Sequence, residues 1–273
     1  MRRLALTVLA PHAPYLRRGW SGARVTAIQA AALVLPLLAA LAEAGGATLG
    51  VLAVALAVTL GWELLFTLLR GRILMWHGLT TAMIVTVMVP VTVPLWQIAL
   101  VVSFGAVLGE LIFGGRGFGF LNAAAAALAF LVFSFPGTSL AGNGPWVAAA
   151  TIPAAVLLLV AGLISWRVIV ASVAGFVVVT LLGGGALAWG ATGSGLAFGL
   201  VFLVCDPLGA AATNPGRWLY GALAGGLVAV FDTAGGAEVP ASALVFAALL
   251  GSIFAPLLDH LVVLANARRR RHG

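Results

Sequence analysis

Long apolar runs separated by short polar or Pro/Gly-rich gaps organise this chain from residue 25 to residue 264. A helix needs roughly 20 apolar residues to span a bilayer, and fewer where it is broken or buried in protein. On that measure the runs predict ten helices: 25–42, 49–69, 78–93, 95–113, 120–135, 147–164, 168–187, 194–212, 219–233 and 241–264. The gaps test this division. Arg2, Arg3, Arg17, Arg18 and Arg24 precede the first run, Arg70 and Arg72 follow the second, and Arg116 follows the fourth. Arg167 then follows the sixth, Arg217 the eighth, and Arg268 to Arg271 the tenth. The alternate gaps, Glu43 to Thr48, Val93-Pro94, Pro136 to Trp146, Ala188 to Gly193 and Thr233 to Pro240, hold no arginine. Basic residues stay on the cytoplasmic face of a membrane, so the pattern predicts a multi-pass protein of the inner (cytoplasmic) membrane with both termini cytoplasmic.

The expected fold class is therefore all-α, a polytopic bundle of about ten transmembrane helices. The expected organisation is a cytoplasmic segment 1–24, a transmembrane domain 25–264 and a basic cytoplasmic tail 265–273. Met1-Arg2-Arg3 followed by Leu4 to Ala10 has the basic-then-apolar order of a signal peptide, but the run is short and meets Pro11-His12-Ala13-Pro14, so it reads as part of the cytoplasmic segment. Ten spans with both ends on one side also permit two inverted repeats of five, an arrangement that places sites where helices break. Pro90 to Trp96 and Asn214 to Trp218 are such breaks, one in each half.

Composition agrees with the pattern. Charged residues make up 8% of the chain and apolar ones 63%, against about a quarter charged in soluble domains. A net charge of +7 would suggest nucleic acid in a soluble protein; here it places arginines against anionic lipid headgroups, and no nucleic-acid partner is expected. Cys205 is the single cysteine, which excludes an internal disulfide, a zinc or iron–sulfur ligand set and c-type haem attachment. Eight tryptophans, mostly near the ends of the runs, need only the headgroup region to explain them.

Two clusters could carry chemistry. Phe113-Gly114-Gly115-Arg116-Gly117-Phe118-Gly119-Phe120-Leu121-Asn122 brings glycine-rich backbone close to another surface, where successive amides can cradle an anion or the carbonyl oxygens of a ring. Read without a ligand, it is a tight turn whose Asn122 caps the fifth helix. Cys205-Asp206-Pro207 and Thr213-Asn214-Pro215-Gly216-Arg217-Trp218 form the second cluster. A charged Asp near the middle of a membrane helix costs about 2.5–3.5 kcal/mol, and Pro207 frees an upstream carbonyl, so the pair suggests a broken helix lining a cavity. Capping of a new helix by Asp206, or its pairing with Arg217, would serve equally. Glu63, Glu110 and Asp259 fall near cytoplasmic boundaries, where interfacial solvation accounts for them. His77, before Gly78 at the start of the third run, reads as an interfacial residue.

Taken together, these stretches resemble the NqrB/RnfD family, membrane subunits of the sodium-pumping NADH:quinone reductase and of the Rnf electron transport complex. The likeness covers roughly residues 60–270 and is carried by Trp62-Glu63-Leu64-Leu65-Phe66, Pro94-Leu95-Trp96-Gln97, Phe113 to Asn122, Asp206 to Tyr220 and Phe254-Ala255-Pro256-Leu257-Leu258-Asp259-His260. The resemblance implies a fold similar to urea channels and an assembly that moves electrons between flavins while moving sodium or protons. It implies other membrane and redox subunits as partners, a quinone, and a flavin, FMN or riboflavin. Gly114, Gly115, Gly117, Asn122, Asp206, Thr213, Asn214 and Trp218 would hold the flavin, and His77, Glu110 and Asp259 would border an ion pathway.

Three departures qualify the likeness. Relatives with covalent FMN attach it to a Thr in a Ser-Gly-Ala-Thr type motif within a long loop, which here is cut to Pro136 to Trp146; Ala149-Ala150-Thr151-Ile152 keeps only Ala-Thr, and Gly190-Ala191-Thr192 comes two helices late. A noncovalent flavin is expected, with Thr151 the remaining covalent candidate. After Asn122 the family pattern Pro-Ala-Leu-Ala-Gly-Arg is replaced by Ala123 to Leu128, and His77 stands where an acidic residue is usual. The leading expectation is an electron-relay component of such a complex. A channel or carrier for a small polar solute on the same scaffold is the alternative, and a scaffold that only anchors redox partners is a third reading.

Overall fold

The computed structural model describes residues 22–271 apart from 72–73, 75, 116–117, 120, 142–143, 184–195, 208 and 236–239. Its described residues are helical, with no strand among them. In chain order the elements are α1 (Gly22–Ala44), α2 (Ala47–Arg70), α3 (His77–Met88), α4 (Leu95–Ala106), α5 (Ala123–Ser134), α6 (Pro145–Ala161), α7 (Trp166–Leu182), α8 (196–204), α9 (Asn214–Gly235) and α10 (Pro240–Arg271). The all-helical polytopic class expected from the apolar runs is the class observed. The helix α10 continues through the basic cluster as far as Arg271.

Among the described residues, only α1, α2 and Ala241–Ala267 of α10 are singly long and apolar enough to cross a membrane. At 1.5 Å per residue, α3 and α5, each of 12 residues, reach about 18 Å, little more than half of a roughly 30 Å hydrocarbon core. Protein surrounds both. Eleven of the twelve α3 residues are buried, as are Ala123 to Ala129 of α5, so these short helices begin inside the bundle and expose little backbone to lipid.

The packing pattern repeats between halves. In the first, α2 packs on α3 and α4, α4 on α5, and α3 on α5; in the second, α7 packs on α8 and α9, α9 on α10, and α8 on α10. Equivalent members then meet across the halves, α1 with α6 and α5 with α10. Small residues set the closest approaches. A methyl at Gly105 would overlap the Ala123 carbonyl oxygen, and one at Gly225 would overlap the Ser172 carbonyl oxygen, so α4–α5 and α7–α9 pack nearly backbone to backbone.

Two helices end in a wide turn whose amide bonds skip five residues. Ile112 N donates to Val107 O at 2.9 Å after α4, and Cys205 N donates to Leu200 O at 2.9 Å at the end of α8. The eighth run, expected to remain helical to 212, therefore stops at Val204. Asp206 Oδ2 accepts from Gly209 N at 3.2 Å, turning the chain after Pro207, and α9 starts at Asn214 rather than 219. Such wide turns loosen the helical ladder where side chains must be re-aimed.

Candidate functional site

The broken ends border two neighbouring cavities that contain ionisable and polar side chains. The inner one, about 30 Å³, lies among Gln29, Thr80, Glu110, Asn122, Phe202 and Asp206, contributed by α1, α3, the turn after α4, the cap of α5 and the end of α8. The outer one, about 80 Å³, lies among Glu63, Arg70, His77, Glu110, Gly114 and Gly115. Thr81 and Glu110 line both. Phe118, 67% exposed, borders the outer cavity at its open end.

Glu63 builds the outer cavity. Its carboxylate accepts from His77 N at 3.2 Å and Gly78 N at 2.9 Å, the first amides of α3, and it is buried. This negative group satisfies orphan donors at the positive end of the helix dipole. The preceding residue, Trp76, is the one non-glycine residue with positive φ among those described, at 61°. Bulky residues avoid that region, and the Glu63 cap holds the chain there. Gly78 follows because a Cβ would come within 2.9 Å of Thr59 Cβ.

His77 is likewise buried, its Nδ1 2.8 Å from Thr26 Oγ1 on α1. Thr26 Oγ1 also lies 3.1 Å from Gly22 O, so the hydroxyl ties the imidazole to the first turn of α1. Arg70 donates to Leu111 O and to Ile112 O at 2.6 and 3.2 Å, fixing the carbonyl end of the wide turn that carries Glu110. Asn122 closes the inner cavity. Its Oδ1 accepts from Ala124 N at 2.9 Å and Ala125 N at 3.2 Å, and its Nδ2 donates to Phe202 O at 3.5 Å, joining α5 to the end of α8.

The structure thus divides the expected residues into two groups. Gly114, Gly115, Asn122, Asp206, His77 and Glu110 line one or both of the two cavities. Gly117 lies outside the described residues. Thr213, Asn214, Trp218 and Asp259 line neither cavity and instead build the start of α9. Asp259 accepts from Ala212 N, Thr213 N and Thr213 Oγ1 at 2.6, 3.0 and 2.6 Å; Arg167 donates to Asn214 Oδ1 at 3.0 Å; and Trp218 packs edge-on against Trp166. Thr151 is buried in α6 with its hydroxyl donating to Val147 O at 2.7 Å.

Burial removes solvation as the account of Glu63 and His77, while Asp259 is partly buried. Each is held by hydrogen bonds inside the protein, and Glu110 faces both cavities. Sequence reading missed Thr26, Gln29, Thr80 and Arg70. Gln29 carried a signal, a buried amide within an otherwise apolar span.

The residues expected at a flavin divide between the cavities: Gly114 and Gly115 border the outer one, and Asn122 and Asp206 the inner one. The Asn122 amide is also engaged on both edges.

Comparison with known proteins adds the last observation. The chain matches the NQR2, RnfD, RnfE family over residues 9–142 and 137–268. It is 30% identical to the NqrB component of the Na(+)-translocating NADH-quinone reductase of Chromohalobacter salexigens, over 77% of this chain and 64% of that protein. The NqrB of Pseudomonas aeruginosa strain LESB58 is 32% identical over 77% and 65%, and that of Stutzerimonas stutzeri 29% over 89% and 70%. The chain spans about 64% of the length of the Chromohalobacter relative.

Proposed function

From the premise that the chain belongs to the NQR2, RnfD, RnfE family, we propose that it is a membrane subunit of an Nqr- or Rnf-type complex in which redox chemistry drives ion movement. The observation that carries this reading is a pair of neighbouring cavities inside an apolar bundle that share Thr81 and Glu110 and are lined by Glu63, His77, Asn122 and Asp206. Carboxylates, imidazole and hydroxyls are costly at such depth, and where they converge they mark an ion route. The starts of α3 and α5 lie beside the cavities, where unwound backbone and helix ends serve the purpose they serve in transporters.

The protein would reside in the cytoplasmic membrane with both termini cytoplasmic. Arg24, Arg70, Arg167 and Arg217 support this, since they stand at the start of α1, the end of α2 and the starts of α7 and α9, ends that share one side of an alternating bundle. Partner subunits would supply the entry and exit of electrons, with a quinone among the acceptors. A noncovalent FMN or riboflavin is part of the proposal, and Gly114, Gly115, Asn122 and Asp206 beside the cavities are the residues that would hold it.

The second reading, a channel for a small polar solute, draws on the water-sized volume of both cavities. Purifying the tagged chain from its own membranes separates the two. Co-purification of redox subunits, with a flavin visible spectrum that acid precipitation strips from the protein, supports the complex. A colourless chain that purifies alone and passes a small neutral solute in liposomes would replace it with the channel.

A further inference from the structure

A third cavity, of about 230 Å³, lies in the second half of the bundle, apart from the two already described. Its wall carries Phe176 of α7, Leu200 and Val204 of α8, Val228 of α9 and Leu244 of α10, with no charged side chain among the described residues that line it. Val173 also lines it and is exposed on α7, so the cavity opens toward the hydrocarbon around the bundle. An apolar cavity of about 150 Å³ stays dry and takes up benzene, so this one has room for a substituted ring or a short chain.

One polar atom interrupts the wall. Ser172 of α7 lines the cavity at 4% exposure, and its Oγ has no hydrogen-bond partner among the described residues. Other hydroxyls in the spans satisfy themselves against the carbonyl one turn back: Ser103 with Ala99 O and Thr151 with Val147 O, each at 2.7 Å, and Thr180 with Phe176 O at 2.8 Å. Ser172 does not use Val168 O, which lies against the α9 backbone, where a Cβ on Gly221 would come within 2.7 Å of it. A buried hydroxyl without a partner is costly, so its place in this wall points to an acceptor brought by a ligand.

Depth narrows the ligand. Trp166, exposed beside Arg167 at the start of α7, marks the interface, and Ser172 lies about 9 Å further along the helix. The headgroup region is only about 5–8 Å thick on each side, so the ester carbonyls of a phospholipid stop short of Ser172. A charged molecule would find no counterion there. We propose that this cavity binds a neutral lipophile dissolved in the bilayer, of one or two rings or a short chain, whose carbonyl oxygen accepts from Ser172 Oγ while its apolar body packs against Phe176, Leu200 and Val228. The site goes beyond the ion-moving reading, which rests on the other two cavities and stands or falls separately.

The test uses the full chain in mixed micelles with benzophenone as the probe. Its two rings flank a carbonyl, and on irradiation it adds a neighbouring C–H bond across that carbonyl, a mark that peptide mass spectrometry locates. Labelling at Phe176, Leu200 and Val228 should saturate with concentration, whereas labelling at Leu68 and Leu69 on the exposed face of α2 should rise in proportion. A long-chain methyl ketone should displace the saturable label, and phosphatidylglycerol should not. Ser172→Ala should raise the half-saturating concentration about fivefold, the usual worth of one hydrogen bond, with an unfolding midpoint no lower than wild type. Val228→Phe should fill the space and abolish saturable labelling at Leu200. Labelling that rises in proportion at every position, displacement by phosphatidylglycerol as readily as by the ketone, or an affinity unchanged in Ser172→Ala overturns the proposal.

Discussion

Replacing Glu63 tests whether a buried carboxylate, rather than apolar packing, sets the start of α3. Glu63→Ala removes the acceptor for His77 N and Gly78 N, bonds of 3.2 and 2.9 Å in a side chain only 6% exposed. Hydrogen bonds to charged groups contribute about 1.5–3 kcal/mol each, and the two buried amides would be left without this acceptor. Holding Trp76 at positive φ costs about 1–3 kcal/mol, which the cap no longer offsets. Release of the buried carboxylate recovers part of the sum. The expected loss is about 3–5 kcal/mol, the range found when one partner of a buried charged pair is removed. Glu63→Gln keeps one acceptor oxygen and should lose about half of that. Equilibrium unfolding in mixed micelles, followed by tryptophan fluorescence, measures both. Glu43 is the internal control: it also accepts two amides, from Gly144 at 3.1 Å and Trp146 at 2.8 Å, but in an exposed setting. Glu43→Ala should cost about 1 kcal/mol. If Glu63→Ala falls within about 0.5 kcal/mol of wild type, the ordinary scatter of surface substitutions, the capping argument is wrong.

Three further outcomes follow from the same geometry. Asn122→Ala removes the α5 cap and the bridge to Phe202 O, and should lower stability by about 1–2 kcal/mol in the same unfolding experiment, with Asn122→Asp recovering the capping part. Asp259→Ala should free the 211–216 turn, read as faster amide exchange at Ala212 and Thr213 with exchange in α3 unchanged. Gly225→Ala drives a methyl into the Ser172 carbonyl and should cost about 1–3 kcal/mol by forcing α7 and α9 apart, whereas Gly226→Ala, whose nearest neighbour is the Val179 side chain at 3.3 Å, should be better tolerated.

The spans were readable in the sequence because burial in lipid and burial in protein both select apolar residues. For the same reason, hydropathy could not find where α8 ends. Leu203, Val204, Ala210 and Ala211 are as apolar as any helix interior, and only the backbone reveals the wide turn at 200–205. Asn122 was legible as a cap because its partners lie two and three residues away. Glu63 and Asp259 were not, since their amide partners lie 14–15 and 46–47 residues distant. The grouping of Thr213, Asn214 and Trp218 with Asp206 followed proximity along the chain. The structure separates them because the turn after Pro207 faces Asp206 inward, while Asp259 and Arg167 draw Thr213 and Asn214 to the start of α9.

The contact between Glu43 and the start of α6 also bears on how the protein is made. It joins residues 101 and 103 positions apart, one in each half of the repeat. At about 5–20 residues per second, the ribosome needs roughly 5–20 s to supply Gly144 and Trp146 after Glu43 has emerged. During that interval α1 lacks α6, its counterpart across the bundle, and Glu43 lacks its amide partners, whereas Thr26 meets His77 of α3 within the same half. The insertion machinery must therefore shelter an unfinished half, and a nascent chain stalled between these two points would present polar groups to lipid before their protein partners exist.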